Sequence, residues 1–113
     1  MTEPLQDIRV TDTAAEKSDR YLTPAQLRRA LRAGEGYVAR KRSPNHDDLY
    51  DDTRFVFRGE FGDTPLDVVF EVEDECVVVI TQMSQHADSL RGRFYERVGT
   101  TVADAVAAVR EDA

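Results

Sequence analysis

Three neighbouring apolar segments between residues 53 and 82 constrain the fold more than any other part of this sequence. Apolar side chains occupy alternate positions of the first two segments: Phe55, Phe57 and Phe61, then Leu66, Val68, Phe70 and Val72. The third segment, from Val77 to Ile80, is apolar without a break, which is typical of a strand covered on both faces. Polar pairs at Gly62-Asp63 and Glu73-Asp74 predict tight turns between the segments. The pattern therefore predicts a three-stranded antiparallel meander whose apolar face needs a cover.

The segments on either side of this meander carry helix signals. Thr23, Pro24 and Gln26 form the sequence pattern of a helix start, with a capping box and a proline in the first turn. Gly34 is a natural stop for that helix. A last helix is predicted to begin at Thr100 or Thr101, because the residues after it repeat apolar positions at helical spacing: Val102, Ala105, Val106 and Val109.

The predicted class is α+β: a three- to four-stranded antiparallel meander packed against an N-terminal and a C-terminal helix. Tyr37 and Val38 can begin a short strand, and the alternation from Arg93 to Val98 predicts the fourth strand. Residues 21–113 are expected to form a single domain. Residues 1–20 are polar apart from a weak apolar cluster, so we expect a flexible or loosely docked tail.

Composition limits the function classes. The chain of 113 residues has a formal net charge of -7, which does not favour nucleic-acid binding through its mean field. Arginine greatly exceeds lysine, a balance typical of a salt-adapted or a high-GC genome, and an acidic surface that stays soluble in concentrated salt explains the net charge. The single cysteine excludes an internal disulfide and fits a cytoplasmic location. No apolar run approaches the length of a membrane span.

No metal and no cofactor are expected. One cysteine and two histidines exclude a structural zinc site, and no glycine-rich phosphate loop follows a predicted strand. A cluster of acids with one histidine has calcium-type ligands but lacks the glycine that a calcium loop needs. We interpret this cluster as an acidic surface loop: His46, Asp47, Asp48, Asp51 and Asp52.

From Leu22 to Thr81 the order of these elements resembles the small toxin-fold domains grouped with the RelE and BrnT ribonuclease toxins. The resemblance is carried by LTPAQLRRALRAGEG, RFVFRGEF and TPLDVVFEVEDECVVVIT. It implies a compact sheet and an activity on messenger RNA, or pairing with a cognate protein, without a metal. Relatives of this group often have histidine at the start of the first helix and in the Pro-Leu strand, where this chain has Tyr21 and Asp67.

A first candidate site is an RNA-facing surface on one side of the sheet. In a metal-independent endoribonuclease, His86 would serve as general acid or base, Arg54 and Arg58 would stabilise charge on the phosphate, and Tyr95 would stack on a base. Further arginines would bind the RNA backbone or a partner: Arg91, Arg93 and Arg97. The alternative is a solvated sheet face whose arginines pair with acids close by in sequence: Glu60, Asp67, Glu71, Asp88 and Glu96.

A second candidate is a basic patch for phosphate or for an acidic partner. It consists of Arg28, Arg29, Arg32, Arg40, Lys41 and Arg42. A charge run of this kind is more often a solvated surface. Two functions therefore stay open: a toxin-like domain that binds or cleaves RNA, and a non-catalytic protein-interaction module that forms a homodimer through a sheet edge or the last helix.

Overall fold

The computed structural model describes residues 7–33, 36–41, 54–61, 64–73, 76–85 and 95–112. These residues form six strands and three helices. In chain order the elements are β1 (Ile8–Val10), α1 (Asp12–Ala15), α2 (Pro24–Ala33), β2 (Gly36–Lys41), β3 (Arg54–Phe61), β4 (Thr64–Glu73), β5 (Cys76–Ser84), β6 (Tyr95–Gly99) and α3 (Val102–Asp112).

All described strands belong to one sheet in the order β1-β5-β4-β3-β2-β6. The predicted meander is its centre, where β3, β4 and β5 pair antiparallel. Phe61 pairs with Thr64 and Glu73 with Cys76, so two residues separate the strands at each hairpin. The α+β class is confirmed, but the prediction of three or four antiparallel strands is wrong in detail. The sheet has six strands, and β1 runs parallel to β5.

One face of the sheet, the core face, is packed against all three helices. It contributes the largest buried side chains of the molecule, among them Phe55, Phe57 and Phe70. The rings of Phe55 and Phe70, on paired positions of β3 and β4, stack with their centroids 5.6 Å apart. The helices cover this face with buried apolar residues: Ala14, Leu27, Leu31, Val102, Ala105 and Val106. Phe61 lies in β3, but its side chain is outside the described part.

The described part of the N-terminal segment has defined contacts with the sheet. From Asp7 onward it is part of the sheet and of the core: Ile8 pairs with Val77, and both Ile8 and Ala14 are buried. Gln82 of β5 holds the segment between α1 and α2 against the sheet. Its amide donates to the carbonyls of Ala14 and Leu22, and its Oε1 accepts from the Leu22 N–H. These partners lie 60 residues or more apart in sequence, so no local pattern reports them.

Both long helices begin where the sequence predicts. The capping box of α2 is complete: Thr23 Oγ1 accepts from Gln26 N, and Gln26 Oε1 accepts from Thr23 N. At α3 the cap is Thr101, whose Oγ1 accepts from Asp104 N, while Asp104 Oδ2 accepts from the N–H groups of Thr100 and Thr101. The pKa of Asp104 is lowered by these two backbone hydrogen bonds.

Cys76 begins β5 and is buried beside the end of β4. Burial raises the pKa of its thiol, and Glu73 adds to the shift. This agrees with the interpretation of Cys76 as a small buried apolar residue rather than a nucleophile. In the described part of the chain no helix combines the length and the apolar character needed to cross a membrane.

Candidate functional site

The side of the sheet opposite the core face, here the second face, is built around a small apolar cluster. Ala39, Val56 and Val69 lie on adjacent strands and are buried at its centre. Half-buried side chains surround them: Tyr37, Ile80, Met83 and Tyr95. None of the described helices contributes a residue to this cluster. The second face therefore brings side chains of five strands together.

A buried ion pair lies next to this cluster. Arg58 and Asp67 occupy paired positions of β3 and β4, and the guanidinium donates from Nε to Oδ1 at 2.8 Å and from Nη2 to Oδ2 at 2.9 Å. Both side chains are less than a tenth exposed. The hydrogen bond with Asp67 raises the pKa of Arg58 despite its burial, and a hydrogen bond with Tyr37 acts in the same direction. Arg58 is thus a fixed cation with a dedicated counter-ion.

A second pair repeats this arrangement near the other end of β3. Arg54 and Glu71 are directly opposite each other, and both Nε and Nη2 of Arg54 donate to Glu71 Oε1, at 3.2 and 2.9 Å. This pair is more exposed than the Arg58–Asp67 pair, with 31% and 19% of the side chains accessible. Both arginines proposed as catalytic cations are therefore neutralised by carboxylates, two of the acids that the alternative interpretation named.

The third arginine of the second face has a different environment. Arg97 of β6 is exposed, and its guanidinium carbon lies 4.5 Å from the ring centroid of Tyr37. Tyr95 precedes Arg97 by two residues on the same strand, so both side chains point to the second face. The hydrogen bond with Arg58 helps to position Tyr37. We call Tyr37, Tyr95 and Arg97 the stacking platform.

Gly36 lets β2 reach this position. A Cβ at residue 36 would collide with the backbone carbonyl oxygen of Arg58, which faces it across the β2–β3 pair. A glycine is therefore required immediately before Tyr37, so that Tyr37 can pair with Arg58.

The structure places the predicted site residues in different parts of the molecule. Arg54, Arg58, Tyr95 and Arg97 share the second face, as the RNA-facing hypothesis requires. Lys41 lies in β2, but its side chain is outside the described part. The other members of that surface, together with Arg42 of the basic patch, lie outside the described residues altogether: His86, Arg91, Arg93 and Arg42.

The structure divides the predicted basic patch among different surroundings. Arg28 donates from Nε to the carbonyl of Ile8 at 2.9 Å and so holds α2 against β1. Arg40 is buried on the core face, with its guanidinium 5.3 Å from the Phe55 ring centroid. Arg29 and Arg32 are exposed on α2. The described members therefore do not form one continuous cationic surface.

Tyr37 is the residue of the platform that the sequence reasoning missed. It was interpreted only as the beginning of a short strand. Its signal is the alternation of Tyr37 and Ala39 with Val38 and Arg40, which places the tyrosine on the face away from the core.

The described residues contain no group of three or more His, Cys, Asp or Glu side chains that could hold a metal ion. The acidic cluster around His46 lies outside them. No protein-family model, curated protein or solved structure matches this chain.

Proposed function

We propose that this chain is a binding module that holds single-stranded RNA on the second face of its sheet and does not cleave it. The proposal depends on one observation: the exposed guanidinium of Arg97 stacks on Tyr37 beside Tyr95, on a face that no described helix covers. It keeps the ligand class that the resemblance to RelE and BrnT toxins implies.

The chemistry of the platform suits unpaired bases. Aromatic rings and guanidinium planes both stack on nucleobases, and each such contact contributes about 1–3 kcal/mol. Arg97 offers the outer side of its guanidinium to a base and keeps donors for a phosphate oxygen. Tyr95 offers a second ring two residues away on the same strand. Two adjacent bases of a flexible strand are the ligand that such a row of flat groups accepts.

Local charge permits this despite the net charge of -7. Asp67 and Glu71 lie on the second face, but each accepts two hydrogen bonds from an arginine. Their charges are therefore compensated within the sheet, and Arg97 supplies the remaining positive charge. Because Arg97 is the one cation of the stacking platform, we expect stacking to contribute more than phosphate contacts and salt to weaken binding only modestly.

The same ion pairs argue against an endoribonuclease. Charge that develops on a phosphate in the transition state must be met by cations free to contact it. Arg58 is buried with its Nε and Nη2 bound to Asp67, and Arg54 is bound to Glu71. Breaking the Arg58–Asp67 pair to release a cation would leave a buried charge, which costs several kcal/mol.

A cytoplasmic location stays part of the proposal, since the one cysteine allows no internal disulfide.

The test is fluorescence anisotropy with a labelled single-stranded RNA of mixed sequence. Tyr95→Ala and Arg97→Ala should each weaken binding by about tenfold, the equivalent of 1.4 kcal/mol. Arg29→Ala is the matched control, because it removes the same charge from an exposed site on α2 and should change affinity less than twofold. The RNA should stay intact on a denaturing gel.

Three results would contradict the proposal: absence of binding by the unaltered protein, equal losses in Arg29→Ala and Arg97→Ala, and cleavage of the RNA. Equal losses would mean that only net charge is sensed. Circular dichroism of each variant separates a lost contact from a lost fold.

A further inference from the structure

The two edges of the sheet differ in how far other described segments of the chain bond to them. On one side β1 pairs with the first part of β5 only, from Val77 to Val79. Beyond β1 the following residues of the N-terminal segment bond to the rest of this edge. Thr11 donates to the carbonyls of Val79 and Ile80, and Lys17 Nζ donates to Thr81 Oγ1 and to the carbonyl of Gln82. This edge is closed along most of β5, which is how proteins keep an edge strand from recruiting other chains.

The opposite edge is β6. Its inner side pairs antiparallel with β2, and α3 packs against it on the core face. On its outer side no strand of the described ranges pairs with it. All five residues from Tyr95 to Gly99 are exposed or half-buried. An edge of this kind presents backbone N–H and C=O groups to an incoming strand.

We propose that β6 is a docking edge that takes an extended segment of another protein as an additional antiparallel strand. Its side chains specify the partner. Glu96 lies toward the helices and Arg97 toward the second face, so the complementary segment carries a basic residue opposite Glu96 and an acidic residue opposite Arg97. Val98, which packs against the core cluster, favours an apolar residue opposite it.

Charge disfavours a second copy of this chain in the register that forms the most strand pairing. A two-fold antiparallel pairing that uses all of β6 centres on Arg97 and places it opposite Arg97 of the second copy. Like charges at directly opposed positions destabilise a sheet. Arg97 thus acts against self-pairing in this register, while Glu96 and Arg97 together favour a partner of opposite pattern, which is how paired charges usually provide specificity.

The proposal makes a prediction for a synthetic peptide, Thr-Val-Glu-Lys-Val-Thr. In antiparallel register its Val, Glu, Lys and Val lie opposite Val98, Arg97, Glu96 and Tyr95. Binding is measured by NMR, with the isotope-labelled full chain titrated to about 1 mM peptide. We expect shifts concentrated in β6 and β2. A control peptide with Glu and Lys exchanged should bind at least fivefold more weakly, and Arg97→Glu should remove that preference.

Backbone methylation distinguishes strand addition from other contacts. In an added antiparallel strand only alternate N–H groups face β6. Methylating one alternate set of peptide nitrogens should therefore abolish binding, and methylating the other set should change it less than twofold.

Equal effects of the two methylation patterns would overturn the proposal. Absence of shifts up to the highest peptide concentration would do the same, and so would a concentration-dependent dimer of the unliganded chain whose shifts map to β6.

Discussion

At the scale of single residues, one glutamine connects the N-terminal third of the chain to the sheet. Gln82 is completely buried and makes three hydrogen bonds to the backbone of Ala14 and Leu22. The carbonyl of Ala14 also accepts from Lys17 N, whereas the N–H and the carbonyl of Leu22 would both lose the Gln82 amide as partner, and an unpaired buried group costs about 1–3 kcal/mol. The position looks like the polar end of an apolar strand, and only the tertiary contact explains why an amide is needed there.

Gln82→Ala should therefore lower the free energy of unfolding by about 2 kcal/mol or more. Gln85→Ala is the matched control: Gln85 is a half-buried glutamine whose two contacts, to the carbonyls of Gly59 and Leu66, are 3.5 Å long. Contacts of that length are weak, so the loss should be about 0.5 kcal/mol or less. Urea unfolding measures both, and equal losses would contradict the role of Gln82.

The two arginine–carboxylate pairs of the second face give a second comparison. Asp67→Asn leaves Arg58 buried without a counter-ion and should cost about 3 kcal/mol or more. Glu71→Gln acts on the more exposed pair and should cost about 1 kcal/mol or less. Replacing Arg58 and Asp67 together by leucine should cost less than Asp67→Asn alone, because no unpaired charge remains. If denaturant unfolding gave similar values for both single variants, burial would not be the deciding factor.

At the scale of elements, the helix starts were predictable because their signals are local. Thr23 with Gln26, and Thr101 with the residues after it, are each complete within four positions. The α3 start also depends on Gly99, where a Cβ would collide with the Asp104 side chain. The edge strands β1 and β6 were harder to predict because they are short, and their pairing is decided by strands far away in sequence.

The carboxylate of Asp104 makes the stability of α3 depend on pH. Its pKa is lowered in the folded chain, so its contribution is complete above the ordinary value of 3.8 and is lost as pH falls through the lower folded value. Asp104→Ala should cost about 1 kcal/mol near neutral pH. The difference from the unaltered protein, measured by urea unfolding, should shrink as the pH is lowered below 3.8 and through the folded pKa. Asp104→Asn keeps a hydrogen-bond acceptor but no charge, so at neutral pH its loss of stability should be smaller than that of Asp104→Ala.

At the scale of the whole molecule, the sequence identified the α+β class and the central meander but not the extent of the domain. Phe55, Phe57 and Phe70 are buried as their alternation predicts. The N-terminal segment looked like a tail because three residues of β1 carry too little pattern, while their burial depends on pairing with β5. The candidate surface was predicted in part: the shared face of Arg54, Arg58, Tyr95 and Arg97 follows from strand alternation, whereas their partners depend on register across the sheet.

Adjacent residues of β1 test whether the domain includes the N-terminal segment. Ile8 is buried in the core, and Ile8→Ala should lower the free energy of unfolding by about 2–4 kcal/mol. Arg9 points the other way, is 66% exposed and contacts only Asp7 among the described ion pairs, so Arg9→Ala should change it by about 0.5 kcal/mol or less. A loosely docked tail would give two small values instead.

The solitary thiol at Cys76 provides the protein with a natural reporter of its own opening. Because the Cys76 side chain is buried and the pKa of its thiol is raised, we expect an alkylating reagent to react with it faster when the β4–β5 hairpin separates at that end. The labelling rate, followed by mass spectrometry in rising urea, then reads the free energy of that local separation. No engineered probe is required, since every molecule contains one reactive sulfur to count.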